Sequence, residues 1–284
     1  MGRVLRMRLI AVGDNVVDYY DDRQEMFPGG NALNVAVFWK CYGIEEVAYI
    51  GIIGNDEEGE HIINSLQEED IDVSQVRRAF GPSGEAVVSL DEHGDRIFVG
   101  SNKGGIQKHL KLNFTKEDLE SIGTYSLLHT SVFSHIEKEL PILKKYINIS
   151  FDFSTIRDED YLHLVCPHVK FAIFSGGDLS AAECEALIQK VHEAGTPNVI
   201  VTRGSEGSLF SDGSQVFKQG IVKTDVVDTL GAGDTFVAVF LKEYIVNGNA
   251  QEAMEKGAGA AAETCQRFGA FGHGKKRARK IVLC

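Results

Sequence analysis

The chain has 284 residues, of which 43% are hydrophobic and 25% charged, and a formal net charge of -12. Arg3, Arg6, Arg8, Lys275, Lys276, Arg277, Arg279 and Lys280 sit at the two ends, and without these eight the 29 basic residues fall to 21 against 41 acids, a body at -20. Such a body repels nucleic acid and anionic membrane, no run reaches the roughly 18 apolar residues of a membrane helix, and a chain of this length buries roughly 75% of its unfolded surface, which excludes disorder.

IAVGDNVVDYY near the start lacks a small-residue cleavage site, and the cysteines at 41, 166, 184, 265 and 284 form neither a CxxC pair nor a Cys/His cluster. Reduced thiols and a cytoplasmic location are expected. RLIAVGD at 8–14 reads as a buried strand, NALNVAVFWKCYG at 31–43 as a helix closed by Gly43, VAYIGIIGND at 47–56 as strand and loop, and EEGEHIINSLQEEDI as a helix with Ile62, Ile63 and Leu66 on one side. This alternation predicts a parallel sheet with helices on its faces. The rhythm breaks at 84–100, where GEAVVSLDEHGDRIFVG places two β-rich runs around turn material and predicts a hairpin lid. Strands at 125–133, 148–154, 169–177 and 198–210 follow, with helices near 135–146 and at 179–195, then a helix after DTLGAGDTF and a small-residue helix at 250–269. One domain is expected over 1–274, followed by a solvated basic tail at 275–284.

VVDTLGAGDTFVAVFLKEY has the makings of an anion-binding helix start. The N–H groups of Gly231, Ala232 and Gly233 can converge because little side-chain bulk blocks the turn, and unpaired donors at a helix N-terminus favour phosphate. Asp234 then stands at the mouth of this nest, placed to take a hydroxyl proton. A tight turn with Asp234 as a cap is the alternative. The segment is neither GxGxxG nor GxxxxGK[ST], so neither a dinucleotide fingerprint nor a Walker loop is present. Upstream, Asp14 ends a strand, Asp18 lies in the loop beyond it, Gly29, Gly30 and Asn31 open a helix, and Asn34 lies one turn further; carboxylates and amides suit a polyhydroxylated ligand. For Asn31 the alternative is a helix cap, and for Asp18 a loop cap.

Taken together, VGDNVVD, GGN at 29–31, the hairpin lid and DTLGAGDTF make the chain, from about residue 8 to 273, resemble the ribokinase-like, PfkB-type carbohydrate kinase family. The resemblance implies a three-layer α/β/α fold with a central, mainly parallel sheet and a small β lid, and transfer from ATP with Mg2+. It implies that Asp234 is the base, that Gly231, Ala232 and Gly233 form the anion hole, and that Asp14, Gly29, Gly30, Asn31 and Asn34, with Asp18 second to them, bind the sugar. VTRGSEGSLF looks like the nucleotide side, through Thr202, Arg203, Gly204 and Gly207, joined by Thr229, Gly231, Gly233, Ala261 and Cys265; the small residues Gly257, Ala258, Ala261 and Ala262 admit either an adenine ring or a close helix contact. The family's Asn-x-x-Glu metal segment is replaced by Ser175, Gly176, Gly177 and Asp178, leaving Asp178 as the carboxylate there, while Glu183 and Glu185 read as solvent-exposed. Asp228, the Leu230 carbonyl and the loop 265–269 resemble the region that holds K+ in some relatives. GDNVVD, FPGGNALNVAV, FDFS, CPHVKFAIFSGG and DTLGAGD look most like the fructoselysine 6-kinase branch, which implies phosphorylation of the 6-hydroxyl of fructoselysine or a related fructosyl amino acid. An acidic pocket suits such a sugar amine, with Asp91, Glu92 and Asp95 of the lid turn as candidates. The competing expectations are a fructokinase, ribokinase or nucleoside kinase of the same family, and a sensor on the same fold. A homodimer through the lids is left open.

Overall fold

The computed structural model describes residues 7–90 and 96–277. In chain order, β1 (Arg8–Val12) leads into two strands, β2 (Val16–Tyr20) and β3 (Glu25–Gly29), before α1 (Asn31–Cys41). Then come β4 (Glu46–Ile50), β5 (Ile52–Ile53), α2 (Glu57–Glu68), β6 (Arg77–Arg78), β7 (Glu85–Leu90) and β8 (Arg96–Ser101). The alternation resumes with α3 (Lys116–Ile122), β9 (Leu127–Ser131), α4 (Leu140–Leu143), β10 (Ile149–Asp152), α5 (Glu159–Val165), β11 (Phe171–Ser175), α6 (Ala181–Glu193) and β12 (Asn198–Thr202). The chain closes through β13 (Ser208–Ser211), β14 (Val216–Gln219), α7 (Ala232–Asn247), α8 (Ala250–Thr264) and β15 (Lys275–Lys276).

The main sheet has the order β14-β13-β12-β11-β10-β9-β1-β4 and is parallel from β12 to β4, with β13 and β14 antiparallel at one edge. Successive residues of its strands feed two different cores, as the period of 2 requires. Leu9 and Ala11 pack with α1, α2, α7 and α8, whereas Ile10 and Val12 pack with α3–α6; Phe171 and Ile173 divide from Ala172 and Phe174 in the same way. That division is the α/β/α layering. Eight consecutive residues of α1, Ala32–Trp39, are buried, so the helix is covered all round rather than amphipathic. Trp39 Nε1 donates to the Ala238 carbonyl at 3.1 Å, which fixes α1 beside α7 and brings their N-termini together.

The lid is larger than a hairpin. β7 and β8 pair as expected, but they belong to a five-stranded sheet of order β15-β3-β2-β7-β8. The residues read as a loop around Asp18 form β2, whose Val17 and Tyr19 are buried. The basic tail is also corrected in part, because Lys275 and Lys276 pair with Met26 and Glu25 as a lid strand. Arg277 is buried against Glu58 and Glu85 and lies over the Tyr19 ring at 4.5 Å. A buried cation with two acidic partners is a structural staple rather than part of a solvated arm. The helix expected near 135–146 is only a 3-10 turn, Glu137–Glu139, followed by the single turn of α4, which begins with Pro141 in its first turn. Asp91, Glu92 and Asp95 lie outside the described residues, as do Arg3, Arg6, Arg279, Lys280 and Cys284.

Candidate active site

A cavity of about 600 Å³ opens between the lid and the carboxyl ends of β1, β10, β11 and β12, the end of a parallel sheet at which ligands are bound in open α/β folds. Asp14, Asp152, Ser175 and Thr202 reach it from the sheet, Asn31, Asn34 and Asp234 from the two helix starts, and Asp18, Glu85 and Phe98 from the lid.

Asp14 holds the start of α1. Gly30 precedes that helix with φ 112° and has no side chain to cap it, so the carboxylate of Asp14 caps it from a distance, accepting from the Asn31 N–H at 2.7 Å and the Ala32 N–H at 3.3 Å. The hydroxyls of Ser131 and Ser134 donate to the same carboxylate at 2.7 and 3.1 Å. A Cβ on Gly30 would meet the Asn15 backbone at 2.8 Å, and one on Gly29 would sit 2.3 Å from an Asp18 carboxylate oxygen. These two glycines therefore make room for the site rather than touch a ligand by side chain.

Asn31 and Asn34 are oriented as ligands of Asp234. The Asn31 amide donates to Asp234 Oδ1 at 2.8 Å and to Asp152 Oδ2 at 2.9 Å, and the Asn34 amide donates to Asp234 Oδ2 at 2.6 Å. Asn31 Oδ1 faces His129 Nε2 at 2.9 Å, and His129 Nδ1 faces Ser150 Oγ at 3.0 Å. Burial pushes Asp234 from the ordinary 3.8 up to about 7, offset in part by Asn34 and Asn31 and reinforced by the charges of Asp152 and Asp14. Burial likewise raises Asp152 to about 6 and lowers His129 to about 3. A carboxylate with an affinity for protons near neutrality can take a hydroxyl proton and release it.

Asp234 is also the third residue of α7. Gly231 is the N-cap with φ 76°, and a Cβ there would sit 2.5 Å from that of Ala270. Thr235 N–H is bonded back to the Gly231 carbonyl at 2.8 Å, and the Ala232 N–H makes a long contact of 3.3 Å with the Thr229 carbonyl. Gly233 lines the cavity beside Asp234, where the N–H groups of the first helical turn point outward, so the helix start suits an anion.

The remaining candidates separate. Thr202 lines the cavity, whereas Arg203 donates to the Leu179 carbonyl and pairs with Glu206, away from it. Gly204 and Gly207 take φ 54° and 86° in the β12–β13 turn. Gly257 lies against the Phe236 ring at 3.0 Å from its would-be Cβ, which favours the close-packing reading of the small residues of α8; Ala261 packs at the edge of the same core. Asp178 is paired with Arg157, its side chain 63% exposed, and does not line the cavity. Asp228 is fully buried and accepts from Tyr20 Oη, from the Leu230 N–H at 2.9 Å and from the Gly269 N–H at 3.0 Å; the Cys265 carbonyl accepts from the N–H groups of Val227 and Asp228. Both groups are thus engaged in holding the loop before α7, and Thr229 lies exposed in that loop. Among the described residues there is no group of three or more His, Cys, Asp or Glu arranged for a metal. Sequence reasoning missed Asp152, His129 and Ser131, buried polar residues toward the carboxyl ends of β9 and β10; FDFS and LLHTS carried the signal, since a buried polar residue needs a partner.

Residues 1–273 match the model of the pfkB family carbohydrate kinase. A fructosamine kinase, FrlD, of Bacillus subtilis is 52% identical over 268 residues, covering 94% of each chain. A fructoselysine 6-kinase of Escherichia coli is 32% identical over 264 residues, covering 93% of this chain and 99% of that one. The structure of Arabidopsis thaliana ribokinase complexed with ribose and ATP superposes with a TM-score of 0.79 at 20% identity, over 94% of this chain and 95% of that one. That of a putative ribokinase II from Escherichia coli in complex with ATP and Mg2+ gives 0.78 at 20% identity, over 93% and 94%. The expected fold is therefore the observed one, and the chain belongs to the pfkB family of carbohydrate kinases, ATP-dependent phosphotransferases with a ribokinase-like fold.

Proposed function

We propose that the protein transfers the γ-phosphoryl group of ATP to the 6-hydroxyl of fructoselysine or a related fructosyl amino acid. The observation that carries the proposal is Asp234, a carboxylate raised to about 7, held by two amides and set at the start of α7 on the wall of a sugar-sized cavity. The hydroxyl to be phosphorylated lies against Asp234, which takes its proton, while the N–H groups at the start of α7, with Gly231, Ala232 and Gly233, stabilise the transferring phosphoryl group. The relatives named for fructosamine and fructoselysine support the acceptor class. So does the cavity wall, where Asp14, Asp18, Glu85, Asp152 and Asp234 outnumber Lys103 and Lys108, a balance that suits an ammonium-bearing sugar.

Neither Asp178 nor Asp228 fits a Mg2+ shell, since the first is paired outside the cavity and the second is saturated with protein donors. When bound, Mg2+ would screen the charge of the polyphosphate, and neither of these two carboxylates would hold it. No role is assigned to K+. The four described cysteines are free thiols, in keeping with a cytosolic enzyme. The test is a panel of fructoselysine, other fructosyl amino acids, fructose, ribose and nucleosides with ATP and Mg2+, with the product position identified by NMR. Preferential 6-phosphorylation of fructosyl amino acids is expected; faster turnover of fructose or ribose would overturn the acceptor.

A further inference from the structure

His129 is completely buried, pairs edge-on with Trp39 at 6.1 Å between ring centroids, and does not line the cavity. Its two ring nitrogens are nevertheless both spent on polar partners. Held neutral by burial, it carries one N–H, and the partners decide where. The Asn31 amide must turn its NH2 toward two carboxylates, so its oxygen faces Nε2, and that nitrogen bears the hydrogen. Nδ1 then accepts from the Ser150 hydroxyl, which the parallel register of β9 and β10 places directly beside it. With the amide reversed, its oxygen would face both Asp152 and Asp234 and its NH2 would face a donor.

We infer that His129 is a positioning residue for phosphoryl transfer: through Asn31 it locks a single NH2 group onto Asp152 and Asp234 together, and so sets the basicity of the carboxylate that accepts the substrate proton. Asp234 also faces Asp14 from the end of β1 and Asn34 from α1. On the lid side the cavity brings Asp18, Glu85, Lys103 and Lys108, and the loop after β9 brings His135. None of these is bonded to Asn31 Oδ1, so His129 holds the oxygen end of the amide while Asp152 and Asp234 take its NH2.

This inference rests on Asp234 acting as the base, and the test separates the two. His129→Leu and His129→Phe remove the donor while keeping apolar bulk, and His129→Gln restores an N–H. Two readouts are taken: the pH profile of kcat/KM for fructoselysine, and the titration of the Asp234 carboxyl by 13C NMR in protein without ligand. Losing a charge-assisted hydrogen bond from Asn31 raises the acid limb of the profile and the Asp234 titration together by about one pH unit in the Leu and Phe variants, with at least partial return in the Gln variant. A uniform loss of rate with both midpoints unmoved, in whichever of the two apolar variants folds, overturns the inference. Full activity of Asp234→Asn would instead remove the base while leaving the NMR titration to report on the amide lock.

Discussion

Asp234→Asn is the substitution with the most to say about this site. It keeps the shape of the side chain and removes its ability to accept a proton. A positioned general base contributes roughly 10²–10⁴-fold, so turnover in a coupled ADP assay falls by that factor while the KM for ATP changes little. Stability moves the other way, and with a defined pH dependence. The folded protein raises Asp234 from 3.8 to about 7, chiefly by burial. The group's favourable contribution is therefore complete below pH 3.8 and is lost as pH rises through about 7, where the folded protein must carry a charge that burial disfavours. The full gap corresponds to about 4 kcal/mol at pH 8. Water reaching the carboxylate through the cavity, and the clash of one Asn31 or Asn34 N–H with the new amide, reduce the net gain on substitution to ~1–2 kcal/mol, or roughly 2–6 °C in melting temperature. Melting curves at pH 8 and pH 5 test this directly: Asp234→Asn melts higher than the wild type at pH 8, and the advantage disappears at pH 5. A variant that melts equally at both values, or turns over as fast as the wild type, refutes the assignment of a buried, high-affinity base to this residue.

Asp18→Asn is expected to raise KM for fructoselysine by ~10-fold relative to fructose, because a buried carboxylate on the lid wall is matched to a cation that fructose lacks; equal effects on the two acceptors count against it. Gly29→Ala forces a methyl group into the Asp18 carboxylate and should raise KM for the sugar several-fold with little change in the ATP dependence. Arg277→Ala removes the buried cation that is bonded to both Glu58 and Glu85 and costs ~3–5 kcal/mol in urea unfolding, whereas Lys276→Ala, which removes the pair of an exposed lysine with Glu25, costs under about 1 kcal/mol.

How much of this was visible in the sequence depends on whether a signal was local. β1, α1, α2, α6 and the GAGD helix start were legible because each carries its own periodicity or breaker; α2 even has its N-cap, Asp56, accepting from the Gly59 N–H. β2 and β3 were not, because VVDYY and EMFPG lie between two motifs that read as loop, and because, although they pair with each other, their outer partners β7 and β15 are far along the chain. Tyr19 and Tyr20, now fully buried, were the missed evidence for a strand. Asp234, Asn31 and Asn34 were named from their motifs and all line the cavity, yet their mutual hydrogen bonds span some 200 residues of sequence, and the packing of α1 against α7, Trp39 included, brings them together. The surroundings of Asp178 were hidden for a different reason. Proximity in sequence to the replaced Asn-x-x-Glu segment said nothing of Arg157, which lies on a separate loop and engages both of its carboxylate oxygens.

The charge distribution takes on a different meaning once the termini are placed. Arg8 pairs with Glu46, Lys275 with Glu57, Lys276 with Glu25, and Arg277 with Glu58 and Glu85. These four described terminal cations neutralise acids of the main sheet's edge, α2 and the lid, and do not form a separate positive arm. Three of them tie the end of the chain into the lid sheet, so the lid is held at its β3 edge and at the start of β7, while Ile97, Phe98 and Val99 of β8 stay half exposed or more. An anionic nucleotide approaching so acidic a body gains little from the overall field; what attracts it must be short-ranged. The N-terminus of α7 meets that requirement because its donors act over a hydrogen-bond length and its dipole over one helical turn. In the proposed reaction it would also set the base and the phosphoryl group side by side, since Gly233 and Asp234 are consecutive residues of one turn, and a cationic acceptor sugar would be drawn to the same place by the very acidity that the nucleotide must overcome.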